Sequence, residues 1–396
     1  MSLALIGNPE LRPFSLQIRA AEARTLQADR PPNPEVESLT EDFGGSRVRR
    51  GFTESQTTLA LSQLIELGAK RAKRVRLARL DENLAAWDYE TKRLDVFVGT
   101  TRGFAEVLAA QRRVEMTEAS LRLERQLYNS VGERVRAGQV SPLEQSRTQV
   151  TLSAGQVARD RALRDLQVAR SRLAALWGST HPIFQRALGD LGDVKPIRPL
   201  PDLLRMAADN PDLARWSTEI AQREARVALE RAKNIPDPRI TLGARRYGYN
   251  TGETAFVAGV SIPLPFYSLN RGNLLEAEVQ ANRSRALRQQ ESVRVASAIE
   301  QSFEQVSAAY DAVVVLRRDV LPAAQSTFDG MSTGYREGKF TLLEVLDAQR
   351  VLLDARVRLI EAEAAYQGSV ADTERLTGQS LRTRPGHVNG GEGVGP

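Results

Sequence analysis

One passage recurs in similar form in this chain, beginning as Val135-Arg-Ala-Gly-Gln-Val-Ser-Pro-Leu-Glu144 and as Tyr335-Arg-Glu-Gly-Lys-Phe-Thr-Leu-Leu-Glu344 and ending at Gly178 and Gly378. The two copies lie at a constant offset and match without a gap. The identical pairs include Arg136 and Arg336, Gly138 and Gly338, Leu143 and Leu343, Glu144 and Glu344, Gln149 and Gln349, Gln167 and Gln367, and Gly178 and Gly378. Repeats of this kind mark duplicated structural units. The sequence therefore predicts two copies of one unit, each with a tight turn between two helices.

The composition favours long helices over a thick globular core. Only 6% of the 396 residues are aromatic, and the chain is rich in the strong helix formers Ala, Leu, Arg, Glu and Gln. The net charge is +6, but basic and acidic residues are mixed along the same stretches, as on solvated helix faces. We therefore predict no nucleic-acid partner.

Motifs for catalysis and for metal binding are missing from the sequence. The chain has no cysteine, four methionines and two histidines, His181 and His387. It contains no HExxH motif, no Gly-rich phosphate loop and no His-Asp-Ser arrangement, and soft metal ions prefer Cys, His and Met ligands. We expect no enzyme activity, no resident metal and no cofactor.

Each repeat contains a pair of predicted strands that follows a Pro-X-Pro sequence, which cannot continue a helix. The predicted strand stretches are 35–43 and 53–67 in the first repeat, and 239–249 and 254–263 in the second. In the last of these, large apolar residues alternate with small ones, which is typical of strands. Such alternation occurs in hairpins of soluble proteins and in transmembrane β-barrels alike.

Four strands are too few to close a barrel, which needs about eight. The hairpins therefore form either a small open sheet or part of a barrel to which several chains contribute. Three chains would supply twelve strands.

Helical stretches fill most of the rest of both repeats. The stretch from Ala69 to Ala137 has no proline and would be roughly 100 Å long as one helix. Its counterpart from Arg271 to Glu337 contains only Pro322, where we expect a kink. Asn8-Pro9 and Asn210-Pro211 each open a shorter helix. Each repeat is predicted as one long helix packed on two shorter helices that lie head to tail, with coiled-coil or ordinary core packing between them.

The predicted division of the chain follows the repeats. Residues 1–178 form the first repeat, 179–208 a linker rich in Gly and Pro, 209–381 the second repeat and 382–396 a disordered tail.

Two acids follow the second turn at helical spacing. Glu344 and Asp347 are three residues apart and therefore share a helix face. In a symmetric assembly such acids would form a ring that selects cations or sets a gate. Alternatively, they stabilise the start of a helix through its dipole. The residues alone leave both interpretations open.

The duplication, the Pro-X-Pro sequences and the two turns together resemble the TolC-type outer-membrane efflux family over nearly the whole chain. Within that family the chain is most similar to the CzcC/CusC branch, which is attached to heavy-metal efflux pumps. The stretches that carry this narrower resemblance are Pro32 to Gly45, Leu59 to Arg71 and Ala255 to Pro265.

This resemblance implies a mixed α/β, mainly α fold with long coiled-coil hairpins. Three identical chains would give four strands each to a twelve-stranded transmembrane β-barrel in outer-membrane lipid, and their helices would form a periplasmic tunnel. The implied function is that of an export duct for heavy-metal cations in a tripartite system. Its partners would be a periplasmic adaptor protein and an inner-membrane transporter of the RND type.

The resemblance also implies roles for residues of the duplicated turns, which would be the periplasmic tips of the tunnel. Glu344 and Asp347 fall at the constriction, and Tyr335 falls among the bonds that hold the tip closed. The second tip would be the gate, and the first would support it and contact the adaptor. The positions predicted for the tip and adaptor contact are Arg136, Gly138, Glu144, Gln149, Arg336, Gly338, Leu343 and Gln349.

The sequence departs from the family pattern in two places. Some members carry an arginine where Phe340 stands, so one polar closing link is in question here. Met1 to Gly7 lack the charged and long apolar regions of an export signal, so an exported protein would carry that signal outside the sequence as given.

Two other functions stay open on the sequence. One is a duct of the same fold for drugs or other small molecules, because a tunnel holds its cargo only in transit. The other is a soluble coiled-coil scaffold, which would need no alternating strands bracketed by Pro-X-Pro.

Overall fold

The computed structural model describes residues 2–207, 210–248, 252–266, 269–379 and 381. Helices dominate these ranges and accompany a four-stranded antiparallel sheet, which confirms the predicted mainly helical fold with four strands. The helices are α1 (Ser2–Gly7), α2 (Leu11–Ala28), α3 (Lys70–Arg136), α4 (Pro142–Ala175), α5 (Leu200–Met206), α6 (Pro211–Ala232), α7 (Arg271–Val315), α8 (Leu321–Arg336) and α9 (Leu342–Thr377). The strands are β1 (Glu35–Glu41), β2 (Gln56–Leu64), β3 (Arg239–Tyr247) and β4 (Glu253–Ser261).

The chain folds into two compact units, and each unit takes segments from both repeats. One comprises Met1–Pro13, Glu90–Leu213 and Ser292–Pro396, and the other comprises Phe14–Tyr89 and Ala214–Glu291. The predicted division along the sequence follows the duplication instead and stays a prediction. Its tail, 382–396, lies outside the described residues.

The sheet belongs to the second unit, and its strands lie in the order β1-β2-β3-β4. The register places Glu35 opposite Ser62, and Arg239 opposite both Leu64 and Ser261. All four junctions between strands and helices therefore lie at one end of the sheet. The strands fall within the predicted stretches to within a residue or two, but the turn predicted near Asn250 lies largely in 249–251, outside the described residues.

The two faces of the sheet differ in polarity. One face presents exposed apolar side chains, which are Val36, Leu59, Leu61, Ile240, Leu242, Phe256 and Val260. On the other face Arg245 Nε donates to Thr58 Oγ1 (2.8 Å), and Arg239 pairs with Glu35. A soluble hairpin would turn its apolar face inwards, whereas strands of membrane barrels expose it. With its apolar side chains exposed on one face, this sheet has the pattern of strands in a transmembrane barrel.

The second Pro-X-Pro sequence ties the two hairpins together at the helical end of the sheet. Asp237, between its two prolines, accepts hydrogen bonds from Leu67 N (2.8 Å) and from Lys70 Nζ (2.7 Å). Lys70 Nζ also donates to Ile235 O (2.5 Å). These bonds link the start of α3, in the first repeat, to the entry of β3, in the second.

The long helices differ between the repeats because only one contains a proline. Helix α3 runs for 67 residues without a break. Between α7 and α8 a π-helical turn covers Leu316–Val320, directly before Pro322, and Leu321 N donates to Leu316 O. Proline lacks an N–H group and crowds the preceding turn. The wider turn accommodates this proline, so the kink expected at Pro322 takes the form of a π-bulge.

The short helices α2 and α6 begin at the predicted asparagine caps. Asn8 Oδ1 accepts from Glu10 N (2.7 Å), and Asn210 Oδ1 accepts from Asp212 N (2.7 Å). Asn210 Nδ2 also donates to Leu376 O (2.5 Å), so one buried side chain caps the start of α6 and the end of α9. The head-to-tail arrangement predicted for the second repeat is present at this junction.

The segment predicted as a linker, or equatorial segment, contains helix α5. Pro201 in the first turn of this helix and Asp202 beside it are ordinary helix-start signals. The extended part before α5 is held by side chains: Gln111 bonds both backbone groups of Ala187, and Tyr366 Oη donates to Lys195 O (2.7 Å).

None of the helices in the described part of the chain combines the length and apolar character that a bilayer span requires.

Candidate functional site

The first duplicated turn ends α3 with a pair of backbone hydrogen bonds. Gln139 N donates to Arg134 O (2.9 Å), and Gly138 N donates to Val135 O (3.0 Å). Gly138 has a φ of +70°, a conformation that only glycine adopts without strain. Together these features form a Schellman motif.

The second duplicated turn ends α8 in the same way. Lys339 N donates to Gly334 O (2.7 Å), Gly338 N donates to Tyr335 O (3.1 Å), and Gly338 has a φ of +77°. The tight turn predicted from the repeat is therefore present in both copies.

Helix α9, which returns from the second turn, begins with a capping box. Thr341 Oγ1 accepts from Glu344 N (3.4 Å), and Glu344 Oε2 accepts from Thr341 N (2.7 Å) and from Thr341 Oγ1 (2.8 Å). The bond from the backbone N–H and then that from the hydroxyl lower the pKa of the Glu344 carboxyl. Glu344 therefore stabilises the start of its own helix, as in one of the two interpretations drawn from the sequence.

Asp347, the second predicted acid, lies one turn further along α9. It is exposed and accepts a hydrogen bond from Arg350 Nη2 (2.8 Å). A ring of Glu344 and Asp347 side chains requires further copies of the chain, so it stays a prediction.

Helix α4, which returns from the first turn, begins differently. Ser141 Oγ accepts from Leu143 N (3.2 Å), and the carboxylate of Glu144 does not bond back to the cap. Tyr335 Oη donates to Glu144 Oε2 instead, at 3.0 Å. This bond joins the two tips, since Glu144 belongs to the first repeat and Tyr335 to the second.

The environment of Tyr335 keeps its hydroxyl protonated. The residue is 5% exposed. Burial and then the neighbouring Glu144 carboxylate raise the pKa of Tyr335 above its ordinary value of 10.0. At physiological pH the phenol is therefore neutral and donates a hydrogen bond to the carboxylate.

Arg134, which the sequence reasoning missed, holds the other side of Tyr335. Its guanidinium carbon lies 4.7 Å from the centre of the tyrosine ring, in cation–π geometry. Its Nη1 also donates to Tyr335 O (3.3 Å). No sequence signal distinguished Arg134 from the other arginines of α3, because at the matching position the second repeat carries Gly334.

An apolar cluster lies beneath these polar bonds. Its buried members come from α3, α8 and α9, and they are Val131, Tyr335, Leu342 and Val345. Leu343, a predicted adaptor contact, points away from this cluster and is 62% exposed, as is its counterpart Leu143 at 60%. The duplicated leucines are thus exposed apolar side chains at the start of each returning helix.

Phe340, the departure from the family pattern, packs against the backbone of α8. A Cβ atom on Gly334 would lie 2.3 Å from Phe340 Cδ2. The ring therefore occupies the space that the missing side chain of Gly334 leaves.

The two paired arginines of the predicted tip set make the same contact. Arg136 Nε donates to Gly132 O (3.4 Å) and Arg336 Nε donates to Ser332 O (3.3 Å), so both arginines fold back on their own helix in the same way.

The paired glutamines have separate environments. Gln149 is exposed and donates to Ser153 Oγ (3.4 Å), whereas Gln349 is buried and donates to Glu124 Oε1 (3.5 Å). Glu124 also accepts from Ser120 Oγ (2.9 Å), and burial raises the pKa of the Glu124 carboxyl. The structure places Gln349 between helices and leaves Gln149 on the surface.

The two tips of a single chain are therefore bonded to each other. A polar bond, a cation–π contact and an apolar cluster connect α3 and α4 of the first repeat with α8 and α9 of the second. Separating the tips requires breaking the Tyr335–Glu144 bond. Among the described residues, no three His, Cys, Asp or Glu side chains come together as a metal site.

Comparison with known proteins matches almost the whole chain. The family model for outer membrane efflux proteins matches residues 1–179 and 203–379. The cobalt-zinc-cadmium resistance protein CzcC of Cupriavidus metallidurans is 32% identical, with 96% of this chain and 89% of that protein covered. The nickel-cobalt-cadmium resistance protein NccC of Alcaligenes xylosoxydans xylosoxydans is 27% identical, with 92% of this chain and 85% of that protein covered.

A solved structure has the same fold. A crystal structure of CusC, described in terms of folding and transmembrane channel formation, superposes with a TM-score of 0.82 at 20% identity, covering 96% of this chain and 91% of that one.

Proposed function

Since the chain belongs to the outer membrane efflux protein family, we propose that three copies form an outer-membrane export duct whose cargo is heavy-metal cations. The helices would extend into the periplasm. A periplasmic adaptor and an inner-membrane transporter of the RND type would complete the system.

The sheet carries this proposal. It is open, because β1 and β4 each have a neighbour on one side only in the described chain, and its apolar face is exposed. Unpaired strand edges are a liability that closure into a barrel removes. Twelve strands from three copies exceed the number of about eight needed to enclose a lumen.

The polar face of the sheet suits cations. It carries the carboxylates of Glu35, Glu37 and Glu41 on β1, against the guanidinium groups of Arg239 and Arg245 on β3. Arg239 pairs with Glu35, and Arg245 lies 3.6 Å from Glu41. Glu37 on β1 and Glu253 on β4, which lies opposite Tyr247 on the same face, are the two carboxylates that these arginines do not balance. In a barrel this face would line the lumen. The names of CzcC and NccC, as metal-resistance proteins, support the same cargo class.

The two tips, which are bonded to each other, are our candidates for the gate and for the adaptor contact. Tyr335 would hold the gate closed through Glu144, and Glu344 and Asp347 would line the constriction. The exposed Leu143 and Leu343 are apolar surfaces on which a helical adaptor can dock. Arg136, Gly138, Gln149, Arg336, Gly338 and Gln349 complete the proposed contact set.

Growth of a deletion strain tests the cargo. We expect the strain to become sensitive to one or more of zinc, cobalt, cadmium and copper, and to regain resistance when the full-length gene is restored. Common antibiotics are tested in parallel. Sensitivity to antibiotics with unchanged metal resistance would replace metal cations by organic molecules as the cargo and leave the duct itself in place.

A further inference from the structure

One row of polar side chains crosses the otherwise apolar face of the sheet. The register aligns Thr40, Thr57, Arg246 and Thr254 across β1 to β4, on the side that carries Leu59 and the other exposed apolar residues. All four are exposed. Thr40 Oγ1 and Thr57 Oγ1 lie 3.3 Å apart. Three hydroxyl groups and a guanidinium group therefore share one strip of surface.

This polar row lies at the end of the sheet that is remote from the helix junctions. From the row towards the junctions, successive positions of β4 on this face are Phe256, Ala258 and Val260, and Phe256 is 95% exposed. Ile262 and Leu264 continue the exposed apolar side chains beyond β4. The polar row thus borders one edge of the apolar band.

Arg246 is unusual at this place. A charged side chain on the lipid-facing side of a barrel is unfavourable unless it reaches an interface, and no carboxylate in the described part of the chain pairs with Arg246. Its neighbour Arg245, which points to the opposite face, contacts Thr58, Gln56 and Glu41. A guanidinium group flanked by hydroxyl groups has the donor set that binds phosphate oxygens.

The connection between β1 and β2 adds charge and aromatic rings beyond the row. Phe43 and Phe52 stack with their ring centres 5.6 Å apart and are both more than half exposed. Arg47 and Arg50 lie exposed in the same connection, and their side chains meet no carboxylate among the described residues. Exposed aromatic rings next to basic residues are typical of the boundary between lipid tails and headgroups.

We propose that this row, centred on Arg246, binds the phosphate groups of lipid A in the outer leaflet of the outer membrane. The proposal rests on the proposed function, because that function places the end of the sheet remote from the helix junctions at the cell surface. Arg246 contacts a phosphate together with Thr57 and Thr254 on the two adjacent strands, and Thr40 continues the row on β1. Arg47 and Arg50 lie above it, and the aromatic pair lies at the level of the glycolipid backbone. The loop would thereby be anchored to the lipid around the barrel.

Native mass spectrometry of the purified full-length trimer tests this proposal. The detergent-solubilised protein is titrated with bisphosphorylated lipid A and with the same lipid A after removal of its phosphates. A hydrogen bond to a charged group changes a dissociation constant by about tenfold or more. We therefore expect the phosphorylated form to bind about tenfold more tightly. Arg246→Gln should abolish this preference and Arg246→Lys should keep part of it. Arg164→Gln, at an exposed arginine of α4, is the matched control and should keep all of it.

Two further titrations identify the source of the phosphate. Phosphatidylglycerol and inorganic phosphate are added as competitors, and neither should displace lipid A at equal concentration. Displacement by either would overturn the assignment to lipid A, and an unchanged preference in Arg246→Gln would overturn the role of the row. A wild-type protein without channel conductance would contradict the proposed function, whereas a conducting wild type without phosphate preference would contradict only this inference.

Discussion

Replacement of Tyr335 by phenylalanine removes one defined bond between the two tips. The variant keeps the aromatic ring, and with it the apolar packing and the contact with Arg134, but loses the donor to Glu144 Oε2 at 3.0 Å. A hydrogen bond to a charged group contributes about 1.5–3 kcal/mol. The lower end applies here because Glu144 is only half-buried and water can replace the lost donor.

A change of about 1.4 kcal/mol alters an equilibrium tenfold. We therefore expect Tyr335→Phe to raise the resting open probability of the purified channel in planar bilayers by about tenfold, provided that separation of the tips opens the pore. Glu144→Ala, which removes the acceptor, should act in the same direction, and the double variant should add little to either single variant, because both remove the same bond.

Tyr366→Phe is the matched control. Tyr366 is as buried as Tyr335, and its hydroxyl donates to Lys195 O (2.7 Å) in the segment before α5. This variant loses that bond and the one that the hydroxyl accepts from Lys195 N (3.1 Å), but it leaves the tips unchanged, so its resting conductance should equal that of the wild type. A resting conductance of Tyr335→Phe equal to that of Tyr366→Phe would refute the closing role of the Tyr335–Glu144 bond.

Four further outcomes follow from the second tip. Thr341→Ala removes the cap of α9 and should cost about 1 kcal/mol of unfolding free energy in denaturant titrations. The pKa of Glu344 is lowered in the folded protein, so the ionised carboxylate stabilises the fold above its ordinary pKa of 4.5, and this stabilisation is lost as the pH falls below that value. Glu344→Gln should therefore change the midpoint of acid unfolding, and an unchanged midpoint would contradict the stabilising role of the carboxylate. Gly334→Ala should destabilise the tip, because the new Cβ would lie 2.3 Å from the ring of Phe340, and Phe340→Ala should restore the lost stability; absence of rescue would show that the clash lies elsewhere. Replacement of both Glu344 and Asp347 by alanine should lower the ratio of cation to anion permeability in bilayers, and an unchanged reversal potential would remove both acids from the constriction.

The sequence predicted those turns, strands and helix starts whose conformation depends on residues close together in the chain. The matching glycines predicted both turns, because the left-handed conformation at Gly138 and Gly338 is a property of the residue itself. The Pro-X-Pro sequences located the strand pairs, alternation supported the last strand, and Asn-Pro predicted the short helices. The capping box of α9 was also visible in the sequence as Thr341-x-x-Glu344, and reading it would have placed the Glu344 carboxylate at the helix start.

Contacts between the repeats could not be predicted in this way. Arg134 packs over Tyr335 only because the ends of α3 and α8 lie side by side, and no spacing within either helix encodes that contact. The choice of Glu144 between its own helix cap and Tyr335 depends on the same packing. The π-bulge before Pro322 has a similar origin, since proline signals an interruption without specifying the hydrogen-bond pattern that absorbs it.

The polarity of the sheet was predicted only as an alternation. Period two does not tell which face is covered, so a soluble hairpin and a barrel strand remained equivalent. The structure separates them, because Leu59 and Phe256 are exposed while Thr58 on the opposite face is buried.

The central claim is that the sheets of three copies close into a barrel in the outer membrane. Pairs of cysteines, one on β1 and one on β4, test it directly, since the chain has no other cysteine. In a closed barrel these edge strands pair between copies, in a register that the stagger of the barrel offsets from the one within the chain, so Thr40 on β1 is combined in turn with each outward-facing position of β4, and Thr254 on β4 with each outward-facing position of β1. Oxidation of isolated outer membranes should give a covalent trimer on a denaturing gel for at least one pair. Protein that fractionates as a soluble monomer, or membrane-bound protein that gives only monomers with every pair, would contradict the claim.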